Sequence, residues 1–511
     1  MERLINLMLP ALPGLMVILL TGFLLFRRRW VVSSMLSELA SAVVILSRPG
    51  GQGSTRRGLS IQVTDHAVAH RVLVQQSAAF LEHPANATPS TILSRNRHCN
   101  VFSAPYGPFW RAARRNMVAG VLHPSRLAQF AETRSRVLGS LVRSLIETSG
   151  VQAAVGESLH FPVYQVVAEM CFGKDVIASR LVGESGLRAM HKLQRDMLLA
   201  LPSFTAVVMY PRIGKLLYPS RWGKLLDFRR RQEEFFLPLV AEIKSRRRKK
   251  ASHDDTTSYV ESLLDLRIHE VGASQPVTDG QLVSLISEFL GNASDSTGAA
   301  LEWTMANFVK HPQIQKKLRA EINAAIACSA GEEESSGFIE EPDLARMPYL
   351  RAVVMETLRR HPTIPFLMRH VQGKEAAKAL AVSRGLPRGG ATVNFLVGKI
   401  SRDPAVWSDP MAFCPDRFMP GGEGDCVDLT GTREIKMMPF GAGRRMCPGM
   451  TLAMFHLGYF VANLVREFEW LEVHGDQAAV DLAEFHGFPF TTMQRPLRAR
   501  LVPLTRLAKS Q

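Results

Sequence analysis

The sequence predicts a mainly α protein with small β sheets, organised as one large domain behind a single membrane-spanning helix. Three observations carry that prediction. Apolar residues recur at helical spacing over long segments, strand-like runs are few and short, and one 23-residue stretch near the N-terminus holds no charge. At 511 residues and 46% hydrophobic composition, the chain has ample apolar material for a large core.

The uncharged stretch is Leu4–Phe26, LINLMLPALPGLMVILLTGFLLF, about 34 Å long as a helix and enough to cross a bilayer. Pro10, Pro13 and Gly14 weaken its first half, yet such residues are tolerated in membrane spans. A cleaved signal peptide is the competing reading. Arg27, Arg28 and Arg29 follow the apolar run and no small-residue cleavage site precedes them, which favours an uncleaved anchor. The positive-inside rule then keeps the rest of the chain cytosolic. Residues 1–26 read as the anchor, 27–58 as a basic linker containing RPGGQGSTRRG, and 59–511 as the folded cytosolic domain.

Within that domain LSIQV and TVNFLV read as short strands, while Arg126–Ser149, Gln281–Lys310, Gln313–Ala327, Met347–Arg360 and Met450–Glu467 read as helices. RRRKKASHDD, from Arg246, interrupts two helical segments and reads as an exposed loop. Six scattered cysteines without a C-x-x-C pair argue against a zinc ribbon or a disulfide scaffold and fit a reducing compartment. A net charge of +16 suits an acidic partner: nucleic acid, an anionic membrane face or an acidic protein surface. No nucleic-acid motif supports the first, and the apolar span opposes it.

The chemistry-bearing stretch is PFGAGRRMCPG, Pro439–Gly449. Its glycines let the backbone turn tightly against something flat or bulky. Pro448 suits the first position of a helix, so Cys447 is expected at a helix N-terminus, where unpaired N–H groups and the dipole favour a thiolate. A lone cysteine is most often a small buried residue, and a reactive nucleophile is the next alternative. An anionic sulfur beside glycines also suits a haem iron, and an arginine two residues earlier can pair with a haem propionate.

Phe440, Gly443, Arg445, Cys447 and Gly449 match in full the F-x-x-G-x-R-x-C-x-G signature, and on that ground the chain resembles the cytochrome P450 haem-thiolate monooxygenases. The resemblance implies the haem-thiolate fold, haem b, and Cys447 as axial ligand of its iron. It extends to other motifs. Glu356 and Arg359 in METLRRHP match the family's E-x-x-R helix, and Arg417 in CPDRF matches the arginine that completes a buried structural triad, although the usual P-E-R-F reads P-D-R-F here. Trp110 and Arg114 in YGPFWRAARRN match the W-x-x-x-R pair that contacts a propionate, and His370 in FLMRHV matches a position that reaches the other.

EFLGNASDSTGAALEW, Glu288–Trp303, resembles the oxygen-side helix, with Asp295 as the acid, Ser296 in place of the usual threonine, and Thr297 kept. An acid and a neighbouring hydroxyl there deliver the protons that let the O–O bond break heterolytically. Asn292 and Ala293 replace the usual small pair. The similarity covers roughly residues 60–505 and is closest in flavour to plant membrane-bound members. The usual proline-rich hinge is reduced to Arg48-Pro49-Gly50. The resemblance implies monooxygenation of a lipophilic small molecule with O₂, using NADPH-derived electrons from a reductase, at the endoplasmic reticulum membrane. Two alternatives stay open: a haem-thiolate isomerase or peroxide-rearranging enzyme that needs no reductase, and an inactive haem-binding membrane protein.

Overall fold

The computed structural model describes residues 58–504 apart from 85–88, 94–99, 148–152, 250–257, 271–272, 330–337, 383–384, 474–479 and positions 180, 210 and 488, together with 45–46 and 54–55. Nine helices of ten residues or more carry the fold among them: α1 (Pro108–Met117), α2 (Ala131–Glu147), α3 (Gly156–Phe172), α4 (Gly183–Ala200), α5 (Pro219–Lys249), α6 (Asp279–Lys310), α7 (Pro312–Ser329), α8 (Pro348–Arg360) and α9 (Met450–Glu467). Beside a hairpin of Arg267–Glu270 and Ala273–Pro276 lie the strands β1 (Gly58–Val63), β2 (Leu367–Val371), β3 (Ala391–Phe395), β4 (Phe468–Leu471), β5 (Glu484–His486), β6 (Thr491–Met493) and β7 (Arg498–Pro503).

Local chemistry sets the helix ends. Thr278 caps α6 reciprocally: its hydroxyl accepts from the Gln281 amide at 3.4 Å, and the Gln281 side chain accepts from the Thr278 amide at 2.9 Å. Lys310 sits in the last turn, and His311 precedes Pro312, which cannot extend α6 but starts α7. Along most of its length α6 is buried, as the central element packed against α3, α9 and α8.

The main sheet joins distant parts of the chain. β1 pairs parallel with β3, with Leu59 opposite Ala391 and Val63 opposite Phe395, and β3 pairs antiparallel with β2, with Arg369 opposite Val393 and His370 opposite Thr392. Residues 45–46 and 54–55, inside the span read as linker, also pair with β1. β4 and β7 pair antiparallel, as do β5 and β6.

Three local expectations change. The helix expected over 126–149 is divided into a turn, Pro124–Ala128, and α2. Arg246–Lys249 complete α5 instead of opening a loop. Basic side chains suit a helix C-terminus, and Arg246 and Arg247 also pair with Glu242 at 2.6 Å and Asp265 at 3.0 Å. Pro448 lies in the turn ahead of α9, whose cap is Gly449. The apolar run of residues 4–26 lies outside the described residues, and among the described residues no helix is long and apolar enough to cross a membrane.

Candidate functional site

The turn before α9 is built by two glycines with left-handed backbone. Gly441 and Gly443 both have φ of +71°, and a Cβ on Gly443 would overlap the Leu73 carbonyl oxygen. This brings Phe440 under the cysteine: the Cys447 amide donates to the Phe440 carbonyl at 2.8 Å. The Gly449 amide donates to the Cys447 sulfur. Burial pushes the Cys447 thiol up, while that amide and the Arg114 charge draw it down. The donor is thus a loop amide, not the first turn of a helix with Pro448 at its head. Phe440, Gly443, Arg445, Cys447 and Gly449 are all half-buried, part of an accessible surface inside an otherwise closed region.

The second accessible surface lies on α6. From Leu282 to Val309 this helix is buried except at Glu288, Asn292, Ala293 and Ser296, a stripe at i, i+4, i+5 and i+8 along one face. Ser296 donates its hydroxyl hydrogen to the Asn292 carbonyl at 2.6 Å. Asp295 is buried among α6's inner contacts, and burial raises its carboxyl above the usual range against the opposing charges of His160 and Arg195. Its Oδ2 has no hydrogen-bond partner among the described residues. Thr297 is buried. His160 reaches α6 because position 298 is glycine: a Cβ there would come 2.5 Å from His160 Nδ1. Glu288 accepts from the Val101 and Phe102 amides, each at 2.7 Å, and burial raises it to about 7.

Trp110 and Arg114 meet Arg445. Both guanidiniums stack on the Trp110 ring, at 5.4 Å and 5.0 Å, and Trp110 Nε1 donates to the Val101 carbonyl at 3.0 Å. Arg114 donates to the Met446 carbonyl at 2.6 Å. Arg445 donates to the carbonyls of Leu81 and Ala104, both at 2.7 Å, with longer bonds to Val101 and Phe102. His370 is placed differently. It is half-buried, its ring is 3.0 Å from the Gln372 amide nitrogen, and its own backbone amide donates to the Glu82 carbonyl at 2.8 Å.

The triad assembles at the far end of α8. Glu356 and Arg359 have no exposed surface. Arg359 Nε and Nη2 donate to Glu356 at 2.6 and 2.9 Å, and the same guanidinium reaches the Ser401, Pro410 and Ala412 carbonyls. Glu356 also accepts the Cys414 amide at 2.7 Å, and Arg417 lies 3.5 Å from it while pairing with Glu423. Next to this, Glu484 joins His361 at 3.0 Å and Arg402 at 3.0 Å. Burial alone would raise Glu484; its partners hold it down at about 2. No motif announced that network, because β5 contributes the acid from more than 80 residues away.

A basic groove of about 570 Å³ lies outside the cysteine turn, lined in part by the exposed Arg111, Arg115 and Arg444.

Comparison with known proteins adds the following. The family model described as Cytochrome P450 matches residues 58–494. Cytochrome P450 89A9 of Arabidopsis thaliana is 38% identical over 452 residues, covering 87% of this chain and 84% of the relative. Cytochrome P450 78A1 of Zea mays is 30% identical over 446 residues, covering 86% and 77%. Flavonoid 3'-monooxygenase of Arabidopsis thaliana is 28% identical over 452 residues, covering 86% and 82%. Among solved structures, a zebrafish cytochrome P450 with abiraterone shares the fold with a TM-score of 0.67 at 20% identity, covering 92% of this chain and 99% of that one.

Proposed function

The chain belongs to the cytochrome P450 family and is a monooxygenase of that class, and on that premise we propose that it binds haem b through Cys447, takes NADPH-derived electrons from a reductase, and oxygenates a lipophilic small molecule. The observation that carries this reading is the Cys447 turn, in which the sulfur accepts an amide and lies beside a cationic side chain. The rest of the site fits a flat dianionic group. Two accessible surfaces, the turn and the α6 stripe, border the site, and Arg114 and Arg445 make no ion pair with a carboxylate among the described residues. The propionates would supply the missing charge, with Trp110, Arg114, Arg445 and His370 as the residues proposed for that end.

Haem with a thiolate ligand supplies the oxidising chemistry that inserts one atom of O₂ into a substrate and releases the other as water. The protein's part is to hold and to deliver protons. The Gly449 amide tempers the charge on the sulfur, and the Phe440 carbonyl fixes the cysteine backbone. Asp295, whose carboxyl burial raises above its usual range, is the acid proposed to feed protons toward the site. Ser296 commits its hydrogen to Asn292 and leaves its oxygen as an acceptor for the proton passed along, with Thr297 one residue on.

The groove with Arg111, Arg115 and Arg444 suits an acidic flavoprotein reductase. The uncharged run 4–26 followed by Arg27–Arg29 supports a single-pass anchor in the endoplasmic reticulum membrane, with 27–58 as linker and 59–511 as the cytosolic catalytic domain. Relatives named as flavonoid hydroxylases support a small, lipophilic substrate. The test is the reduced carbon monoxide difference spectrum of the full chain in membranes. A thiolate-type red-shifted Soret band is expected from the native protein and absent from Cys447→Ala. Thiolate ligation persisting in Cys447→Ala would overturn the ligand assignment.

A further inference from the structure

Behind its accessible stripe, α6 carries a second line of polar groups. Asp295, Gly298 and Glu302 recur at i, i+3 and i+7 and so share one face of the helix. That face meets α3. His160 Nε2 lies 3.4 Å from a Glu302 carboxylate oxygen, and its ring fits against the bare backbone of Gly298. Glu302 accepts the Leu497 amide on its other oxygen at 2.8 Å. With Nε2–H held by that carboxylate, Nδ1 is the nitrogen left to exchange a proton.

His160 Nδ1 is buried and has no hydrogen-bond partner among the described residues. The same holds for Asp295 Oδ2 on α6, for the Tyr164 hydroxyl one turn along α3, and for His191 Nε2 on α4. These groups sense one another's charge. After burial, which dominates in all three, Asp295 senses His160 and then Arg195, Tyr164 senses Cys171 and then Asp295, and His191 senses Arg195, then His160 and Arg188. The Tyr164 and His191 rings stand 4.8 Å apart. His191 is half-buried, and Arg188 and Lys192 beside it on α4 are exposed, so the line runs from the α4 surface inward to Asp295. A static lock between α3 and α6 needs only His160 Nε2 and Glu302. It gives no reason for three helices to leave four polar atoms unpartnered in one region. Buried polar atoms in folded proteins are nearly always satisfied, by ordered water where the chain supplies nothing. An acid, two imidazoles and a phenol joined in that way form a path for protons.

We propose that His160 returns protons to Asp295, drawing on the α4 surface through His191 and Tyr164 with ordered water completing the links. The inference rests on the reading of Asp295 as the acid of the α6 site and supplies its source. Asp295 gives its proton toward the site, and His160 Nδ1–H then donates to Asp295 Oδ2. The carboxylate becomes carboxyl again, the imidazolium becomes neutral imidazole, and a proton from solvent on the α4 side restores it. Glu302 keeps the ring oriented and balances its charge while it is protonated. His160 touches neither substrate nor cofactor, so it is a positioning residue that acts through Asp295.

The test compares the purified, haem-loaded full chain with His160→Phe, His160→Gln, Tyr164→Phe and Asp295→Asn. Infrared spectroscopy follows the protonated Asp295 carboxyl band, identified by its loss in Asp295→Asn, after transfer into D₂O at a pH where the band is present. Exchange of that proton should be about a hundredfold slower in His160→Phe and His160→Gln, the lower end of what a positioned proton-transfer group contributes. It should slow less in Tyr164→Phe. Glutamine keeps a donor for Glu302 yet carries no proton, so a merely structural histidine would leave its exchange rate native, and that result would overturn the proposal. The solvent isotope effect on reductase-driven NADPH oxidation should also grow in His160→Gln, with a native carbon monoxide spectrum; an unchanged isotope effect there would sink it too. Should His160→Phe fail to accumulate, His160→Gln decides alone. Asp295→Asn separates the two readings. An isotope effect unmoved by that substitution would overturn Asp295 as the acid, whereas slowed exchange in His160→Gln would still establish the path from His160 to Asp295.

Discussion

Around Glu356 every buried charge has found its counterpart, whereas around Arg445 three guanidiniums stand together without a carboxylate partner among the described residues. Arg359 closes on Glu356 and on three carbonyls, and Arg417 takes Glu423 as well. Arg114, Arg369 and Arg445 donate to separate backbone carbonyls instead, and Arg114 and Arg445 also stack on the Trp110 ring. The first region is complete once the chain has folded. On the proposed reading, the second is completed by the bound haem. Both look alike in composition, so counting buried arginines would not separate a scaffold from a site; asking where each charge is balanced does.

Breaking the balanced region should have the largest effect. Arg359→Leu leaves a buried carboxylate with little compensation, a loss of about 3–5 kcal/mol against a total stability of about 5–15 kcal/mol. Little soluble full-length protein is expected, and what remains should melt well below the native chain by circular dichroism. A melting point within a few degrees of native would make the triad dispensable.

The unbalanced region should respond in haem retention more than in folding. Arg114→Leu removes one hydrogen bond to the Met446 carbonyl, worth about 1 kcal/mol of stability, but should speed haem loss about tenfold. Equal proportional losses of stability and retention would erase the distinction.

Acid should act through two buried histidines, His361 beside the balanced region and His456 on α9 near Arg134. Burial holds His361 down at about 4 despite its bond to Glu484, and it holds His456 down at about 3. Both are neutral in the folded protein, while the unfolded chain binds their protons near 6.5. Their stability contribution is therefore present above about pH 6.5 and lost as pH falls from there toward about 4. Glu484, depressed to about 2, withdraws its own contribution only below its unfolded value of 4.5. Urea midpoints should fall between pH 7 and pH 5, and less steeply in His361→Phe if that variant folds. A flat profile would place these rings elsewhere.

The smallest effect belongs to the surface. Reversing Arg111, Arg115 and Arg444 to glutamate should raise the reductase concentration needed for half-maximal NADPH oxidation several-fold at low salt, and less at high salt. An unchanged requirement would move the docking face away from this groove.

Much of this was legible in the sequence because its signals are local. Cys447 and its glycines lie within ten residues of one another, Glu356 and Arg359 are one turn apart, and the ends of α6 to α9 follow from caps and prolines. Arg417 was found only through its motif, and its hydrogen bonds came from the structure. The pairing of Arg369 with His83 spans 286 positions, and no periodicity in FLMRHV tells which of Arg369 and His370 turns inward. Strand register decides that, and register is a property of β2 against β3. The early end assigned to the helix before RRRKK has a simpler cause: a run of like charges reads as solvent-loving loop, yet at the close of α5 it meets the helix dipole and nearby acids.

The Gly443–Leu73 contact has a consequence for biosynthesis. The turn bearing Cys447 is shaped against backbone that leaves the ribosome some 370 residues earlier, and Arg445 fastens to the Leu81 carbonyl across a similar span. β1 likewise waits for β3. The nascent chain must keep its first strand unpaired with that partner through most of its own translation, a long interval of exposure for an apolar edge. On the proposed reading, haem capture is then an event of the nearly finished polypeptide, and a message truncated before codon 447 yields a chain without its proposed ligand.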